Sequence, residues 1–336
     1  MNDRFTTLLL DWFRENRRGL PWRQTRDPYA IWLSEVILQQ TRIVQGTDYW
    51  LRFLRRFPTV ETLAAADEDE VLLLWQGLGY YSRARNLHAA ARQIVRLGHF
   101  PKTCDEWKTI KGVGDYTAAA VASFAFDEDV AAVDGNVYRV LSRVFGIDEP
   151  INTGKGKKVF TALANQLLPK GQSAAFNAAL MDFGSLQCTP KSPDCQCCPL
   201  VEQCVACREG RVEELPVKAN KTKIKVRHLT YLYIRCGGFT AIHRRGPGDI
   251  WQGLWEPLLF ENEPLPKWKG QLTLLAKDVK HQLTHRTLFA DFYVLETDVR
   301  PSLPDGYVWI REDEVENYAC PQLIEKIRRK CLFPDK

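Results

Sequence analysis

Through most of the first two hundred positions, apolar residues recur every three to four places, the period of a helix that turns one face inward. The pattern predicts helices over residues 4–14, 29–41, 63–76, 83–97, 117–126, 137–145, 160–168 and 174–183. Asp67, Glu68 and Asp69 sit where a helix begins, and the positive end of the helix dipole favours carboxylates there. Strand signals are nearly absent from this part. After Cys207 the character changes. Residues 211–225 are rich in charge and poor in apolar side chains, so they read as a linker. Beyond them the period becomes two, which predicts strands over residues 226–235 and 288–296, a hairpin at Gly237-Gly238 and a last helix over 321–330. The expected organisation is an all-α domain over 1–210, a linker over 211–225 and an α+β domain over 226–336.

At 336 residues the chain has room for two or three cores. Its apolar (45%) and charged (26%) fractions are those of an ordinary water-soluble protein. No apolar run approaches the length of a membrane span. A formal net charge of +5 permits a nucleic-acid partner without demanding one. The chain does not open on a basic and then apolar leader, so a reducing compartment is expected and its cysteines are not read as disulfides.

Cys188, Cys195, Cys198 and Cys204 follow the spacing C-x6-C-x2-C-x5-C in a Pro-rich, polar stretch. Four thiolates in one short loop suit zinc or an iron–sulfur cluster. Zinc sites more often pair two C-x2-C knuckles, and only Cys195 and Cys198 form one here. Cys197 and Cys207 fall outside the spacing and are read as non-ligands.

Three further strings carry candidate chemistry. Ile110-Lys111-Gly112-Val113-Gly114-Asp115 precedes an Ala-rich helix. Gly112 and Gly114 would make a tight turn whose N–H groups can grip a phosphate, although a plain helix–helix turn looks the same. Val133-Asp134-Gly135-Asn136 places a carboxylate at the start of an apolar helix, either as an N-cap or as a reacting group. Trp32-Leu33-Ser34-Glu35-Val36-Ile37-Leu38-Gln39-Gln40 sets Glu35 among apolar neighbours. Burial there would raise its pKa and let it keep a proton to donate.

Together the hairpin, Asp134 and the cysteine loop resemble the helix-hairpin-helix DNA glycosylase superfamily. The Glu35 string, Leu20-Pro21-Trp22-Arg23 and Trp75-Gln76-Gly77-Leu78-Gly79-Tyr80-Tyr81-Ser82-Arg83 resemble its MutY-type adenine DNA glycosylase branch over about residues 5–210. The resemblance implies a fold of two parts, a helical glycosylase domain with a 4Fe-4S loop over 188–204 and a Nudix-like α+β domain. It implies hydrolysis of the glycosidic bond of adenine paired with 8-oxoguanine or guanine in double-stranded DNA, by a monomer in the bacterial cytoplasm, associated with the nucleoid through DNA and not with a membrane. Glu35 would protonate adenine, Asp134 would face the sugar, and Tyr116 and Asn136 would orient them. Gln40, Leu78, Tyr80, Gly112, Gly114 and Lys191 would contact DNA. Bifunctional relatives carry Lys where this chain has Tyr116; a phenol cannot form an imine, so no strand cleavage is expected.

Gly253-Leu254-Trp255-Glu256 resembles a signature of the MutY-type C-terminal domain. Leu283, Thr284 and His285 stand where that family uses Phe-Ser-His to contact 8-oxoguanine. Thr284 keeps the hydroxyl, whereas Leu283 lacks the ring. No Nudix-box spacing of Arg and Glu is present, so pyrophosphatase activity is not expected.

Overall fold

The computed structural model describes residues 2–219 and 224–332. Residues 220–223 of the expected linker and the last four positions of the expected C-terminal domain lie outside them. The chain separates into two compact units, Met1–Ala64 with Ala89–Asn220, and Ala65–His88 with Lys221–Lys336.

The helices are α1 (Asn2–Asn16), α2 (Pro28–Ile37), α3 (Ile43–Arg56), α4 (Val60–Ala65), α5 (Glu68–Trp75), α6 (Ser82–Leu97), α7 (Cys104–Lys108), α8 (Asp115–Phe126), α9 (Gly135–Phe145), α10 (Gly154–Leu167), α11 (Ser173–Leu186) and α12 (Val205–Arg208). In the first unit α2, α8 and α11 form the centre. Asp27 caps α2 by accepting from the Tyr29 N–H at 3.0 Å, and Pro28 opens it with a preset φ. Every residue from Tyr29 to Ile37 is buried. Trp32 lies against Trp107 with ring centroids 6.0 Å apart, and each such fully buried aromatic contributes about 3 kcal/mol. The α11–α9 contact depends on Gly184: a Cβ there would lie 2.6 Å from Cβ of Asn136 and 3.1 Å from its Cα.

Two expected helices end differently. The one predicted over 29–41 stops at Ile37 and gives way to a turn that puts Gln40 at φ 58°. The stretch 63–76 is two helices, because Asp67 takes an extended conformation and starts α5. The sequence reading missed α3, which buries only Gly46, Trp50 and Phe53.

In the second unit, β1 (Lys225–Arg235), β4 (Leu258–Phe260), β5 (Gln271–Gln282) and β6 (Arg286–Glu296) form a sheet of order β4-β1-β6-β5. The β1–β6 pair is parallel and the others antiparallel. A second sheet, β3-β2-β7, joins β2 (Phe239–Arg244), β3 (Trp255–Glu256) and β7 (Tyr307–Arg311). The expected turn at Gly237-Gly238 is present, with φ 58° and 77°, and leads from the first sheet to the second. Leu229, Tyr231, Leu288 and Phe292 pack against Leu323, Ile324 and Ile327 of α13 (Gln322–Ile327). The fold is thus an all-helical domain followed by an α+β domain. Among the described residues no helix is long and apolar enough to cross a membrane.

Candidate active site

In the first unit a cavity of about 1180 Å³ opens between α2, α8, α9 and α11. That is more room than the roughly 300–1,000 Å³ of an ordinary small-molecule pocket. Its lining includes Glu35, Tyr116, Asp134, Asn136, Gln40, Arg18 and Arg23. The two carboxylates predicted from separate strings therefore share one cavity.

Glu35 is 7% exposed, held by a helix that is buried from Tyr29 to Ile37. Burial pushes its carboxyl up to about 7, against the pull of the Tyr116 hydroxyl and the Arg23 guanidinium. The Tyr116 hydroxyl donates to Glu35 Oε2 at 2.7 Å. Burial, with the charges of Glu35 and Asp134, drives the phenol well above its usual range, so it stays a donor.

Asp134 is the N-cap of α9. Its Oδ1 accepts from the N–H groups of Asn136 and Val137, both at 2.8 Å, and its Oδ2 from Asn136 Nδ2 at 2.8 Å. Asp134 is also buried, and desolvation lifts it above the ordinary Asp value despite those bonds and the charge of Arg139.

A second layer was invisible in the sequence. Asp182, fully buried on α11, accepts from Arg18 N (3.0 Å) and Nε (2.7 Å) and from Arg23 Nη1 (2.7 Å) and Nη2 (2.9 Å). This holds Arg23 beside Glu35. Arg139 donates to Asn136 Oδ1 at 2.7 Å and to the Cys188 carbonyl at 2.8 Å. An arginine in the apolar helix α9 was the available signal for Arg139, whereas the acceptor shared by Arg18 and Arg23 lies 164 and 159 residues away and could not be read locally.

The family described as HhH-GPD superfamily base excision DNA repair protein matches residues 33–169, and the NUDIX domain family matches residues 230–330. An adenine DNA glycosylase of Rattus norvegicus is 41% identical over 63% of this chain and 44% of its own length. One of Mus musculus is 41% identical over 97% of this chain and 77% of its own. The chain belongs to the adenine DNA glycosylase family. Its helical part is also similar to a solved thermostable thymine-DNA glycosylase, with a TM-score of 0.58 and 31% identity over 62% of this chain and 97% of that one. This glycosylase is therefore an enzyme of base excision repair that acts on DNA.

The hairpin of the glycosylase joins α7 to α8. Val113 N–H closes it onto the Ile110 carbonyl at 3.1 Å, and Gly112 takes φ 76°, a conformation that favours glycine. Gly114 is the N-cap of α8. Among the described residues, the N–H groups of Gly112 and Gly114 meet no acceptor.

Cys188, Cys195, Cys198 and Cys204 line one cavity after α11. Arg143, 2% exposed, holds the loop by donating to Cys188 Sγ (3.4 Å) and to the carbonyls of Thr189 (2.7 Å), Pro190 (3.2 Å) and Leu215 (3.1 Å). Four thiols lining one cavity are a donor set that suits thiolate-bound iron or zinc. Lys191 is exposed between the first two cysteines.

In the second unit Leu283 closes the β5–β6 turn, its N–H donating to the Arg286 carbonyl at 2.8 Å while its side chain packs on the core. Thr284 and His285 are exposed at the tip. The Thr284 and Tyr80 hydroxyls are hydrogen-bonded to each other, so two residues predicted from distant strings meet. Tyr80 is 48% exposed at φ 46°, whereas Leu78 is buried. Glu256 of the Gly-Leu-Trp-Glu string is buried and paired with Arg245 Nη1 at 2.6 Å, a structural use.

Proposed function

We propose that this glycosylase removes adenine from pairs with 8-oxoguanine or guanine and leaves the sugar–phosphate strand intact. The observation that carries the reading is the Tyr116–Glu35 hydrogen bond in a cavity shared with Asp134. Adenine leaves badly as an anion and well once protonated at N7. Tyr116 occupies Oε2 of Glu35, which leaves Oε1 to carry the transferable proton. As the bond to the base lengthens, the sugar takes on oxocarbenium character. Asp134, once ionised, opposes that charge or traps it covalently, as the second carboxylate of a retaining glycosidase does. Asn136 fixes the direction of the Asp134 oxygens. Glu35, now a carboxylate, takes a proton from the attacking water. Tyr116 offers no amine, so the scheme ends at base removal.

Flipping the adenosine out of the duplex costs a few kcal/mol, less at a mispair. The N–H groups of Gly112 and Gly114, which meet no acceptor among the described residues, would bind backbone phosphate, and Gln40, Leu78, Tyr80 and Lys191 are proposed as further DNA contacts. Thr284, at an exposed turn beside Tyr80, can read the oxidised base through its hydroxyl; Leu283, packed inward, supports the turn. A 4Fe-4S cluster on Cys188, Cys195, Cys198 and Cys204 would tie the loop together with four iron–sulfur bonds.

The test uses duplexes with adenine opposite 8-oxoguanine, guanine or thymine, scored for strand breaks with and without alkali. Breaks only after alkali, fastest opposite 8-oxoguanine, are expected. Breaks without alkali would overturn the monofunctional assignment, and equal rates opposite thymine would overturn the mispair assignment.

A further inference from the structure

The cavity after α11 contains one thiol more than the spacing assigns. Cys207 lines it together with Cys188, Cys195, Cys198 and Cys204. A four-iron cluster takes four thiolates, so five candidates surround four places. Cys197 is exposed and is not among the lining residues.

The five sulfurs are not equivalent. Cys188 Sγ accepts from Arg143 Nη1 at 3.4 Å, and Cys204 Sγ donates to the Arg143 carbonyl at 3.5 Å. Cys198 is bonded to the main chain at Leu200. Each of these three has a partner that belongs to the framework. Among the described residues the Cys195 sulfur has no framework partner of that kind, and the Cys207 thiol that shares its cavity lies close enough to act on it. Cys207 stands on α12, one turn after Cys204 and packed on α9, so it does not depend on the cysteine-rich loop for its place.

We propose that Cys207 is an alternate ligand of the iron–sulfur cluster and exchanges with Cys195. The proposal rests on the cluster assignment made above. In the exchange the bond from iron to the Cys195 sulfur breaks and one to the Cys207 sulfur forms. The Cys207 thiol proton passes to the released Cys195 sulfur. No electrons are gained or lost.

Iron and acid-labile sulfide per chain, with visible absorption, would be measured for the wild type and for alanine variants, since alanine offers no ligand atom. Wild-type protein without iron would overturn the cluster assignment itself. With iron present in the wild type, Cys195→Ala is expected to keep most of it, and so is Cys195→Ala/Cys197→Ala. Cys198→Ala and Cys195→Ala/Cys207→Ala are expected to lose nearly all. A Cys195→Ala protein as bare as the Cys195→Ala/Cys207→Ala protein would overturn the exchange and leave the cluster assignment standing. If circular dichroism shows that Cys195→Ala does not fold, Cys207→Ala decides, since it keeps all four cysteines of the spacing. It is expected to surrender iron to a chelator several-fold faster than the wild type, and equal release rates would overturn the proposal.

Discussion

Replacing Glu35 by Gln separates the role of its proton from the role of its bulk. The folded carboxyl titrates near 7 against an ordinary value of 4.5, mainly because it is buried. Between those values the folded protein binds more protons than the unfolded chain, so stability falls as pH rises from 4.5 to 7 and levels off above that. The amide of Glu35→Gln does not titrate and is free of this loss. A shift of about 2.5 units at 1.36 kcal/mol each makes the wild type about 3 kcal/mol less stable at pH 8 than at pH 4.5, relative to the variant. For a unit of this size that is a Tm difference of about 6–12 °C. The variant should therefore melt near the wild type at pH 5 and clearly above it at pH 8. Its excision rate should fall by at least ~100-fold, the low end for a lost general acid, with duplex binding kept. Thermal scans at the two pH values, paired with single-turnover excision, check both halves. A Tm difference that does not change with pH would show that Glu35 is not a buried, proton-holding acid. Retained excision would end its assignment as donor.

Asp134→Asn should reduce excision about 100-fold or more in single-turnover assays while changing stability by less than about 1 kcal/mol in denaturant melts, because Asn also caps helices well. Tyr116→Phe removes the hydroxyl that pulls the Glu35 carboxyl down, so the descending limb of the pH–rate profile should move to higher pH; a limb that stays or moves lower refutes the coupling. Asp182→Asn leaves Arg18 and Arg23 without their shared carboxylate and should destabilise by about 3 kcal/mol in thermal or denaturant melts, the low end for a broken buried pair because both arginines keep some contact with water.

What the sequence disclosed was local chemistry. Glu35 was legible because it is the one carboxylate in a string of mostly apolar residues, and the structure buries that string from Tyr29 to Ile37. Asp134 was legible because a helix start and a Gly-Asn pair follow it directly. The cysteine spacing pointed to a metal loop, and its four thiols do line one cavity, but Cys207 was set aside because a spacing rule is blind to which thiols face that cavity. Asp182 was missed, since its partners lie 159 and 164 residues away and only packing joins them. The parallel β1–β6 pair was equally hidden, because period-two alternation predicts strands without naming their neighbours. The division of residues 63–76 into two helices could have been foreseen: Asp67 was noted as a helix start and is one.

Gly184 carries no reacting group, yet the position of the Asp134 carboxylate depends on it. With α11 pressed against the backbone of Asn136, one added methyl group must push the first turn of α9 outward, and Asp134 is tied to that turn by three hydrogen bonds. Excision is therefore expected to be vulnerable to a change as small as alanine at this buried position, and screens for inactivating substitutions should recover Gly184 alongside the acids themselves.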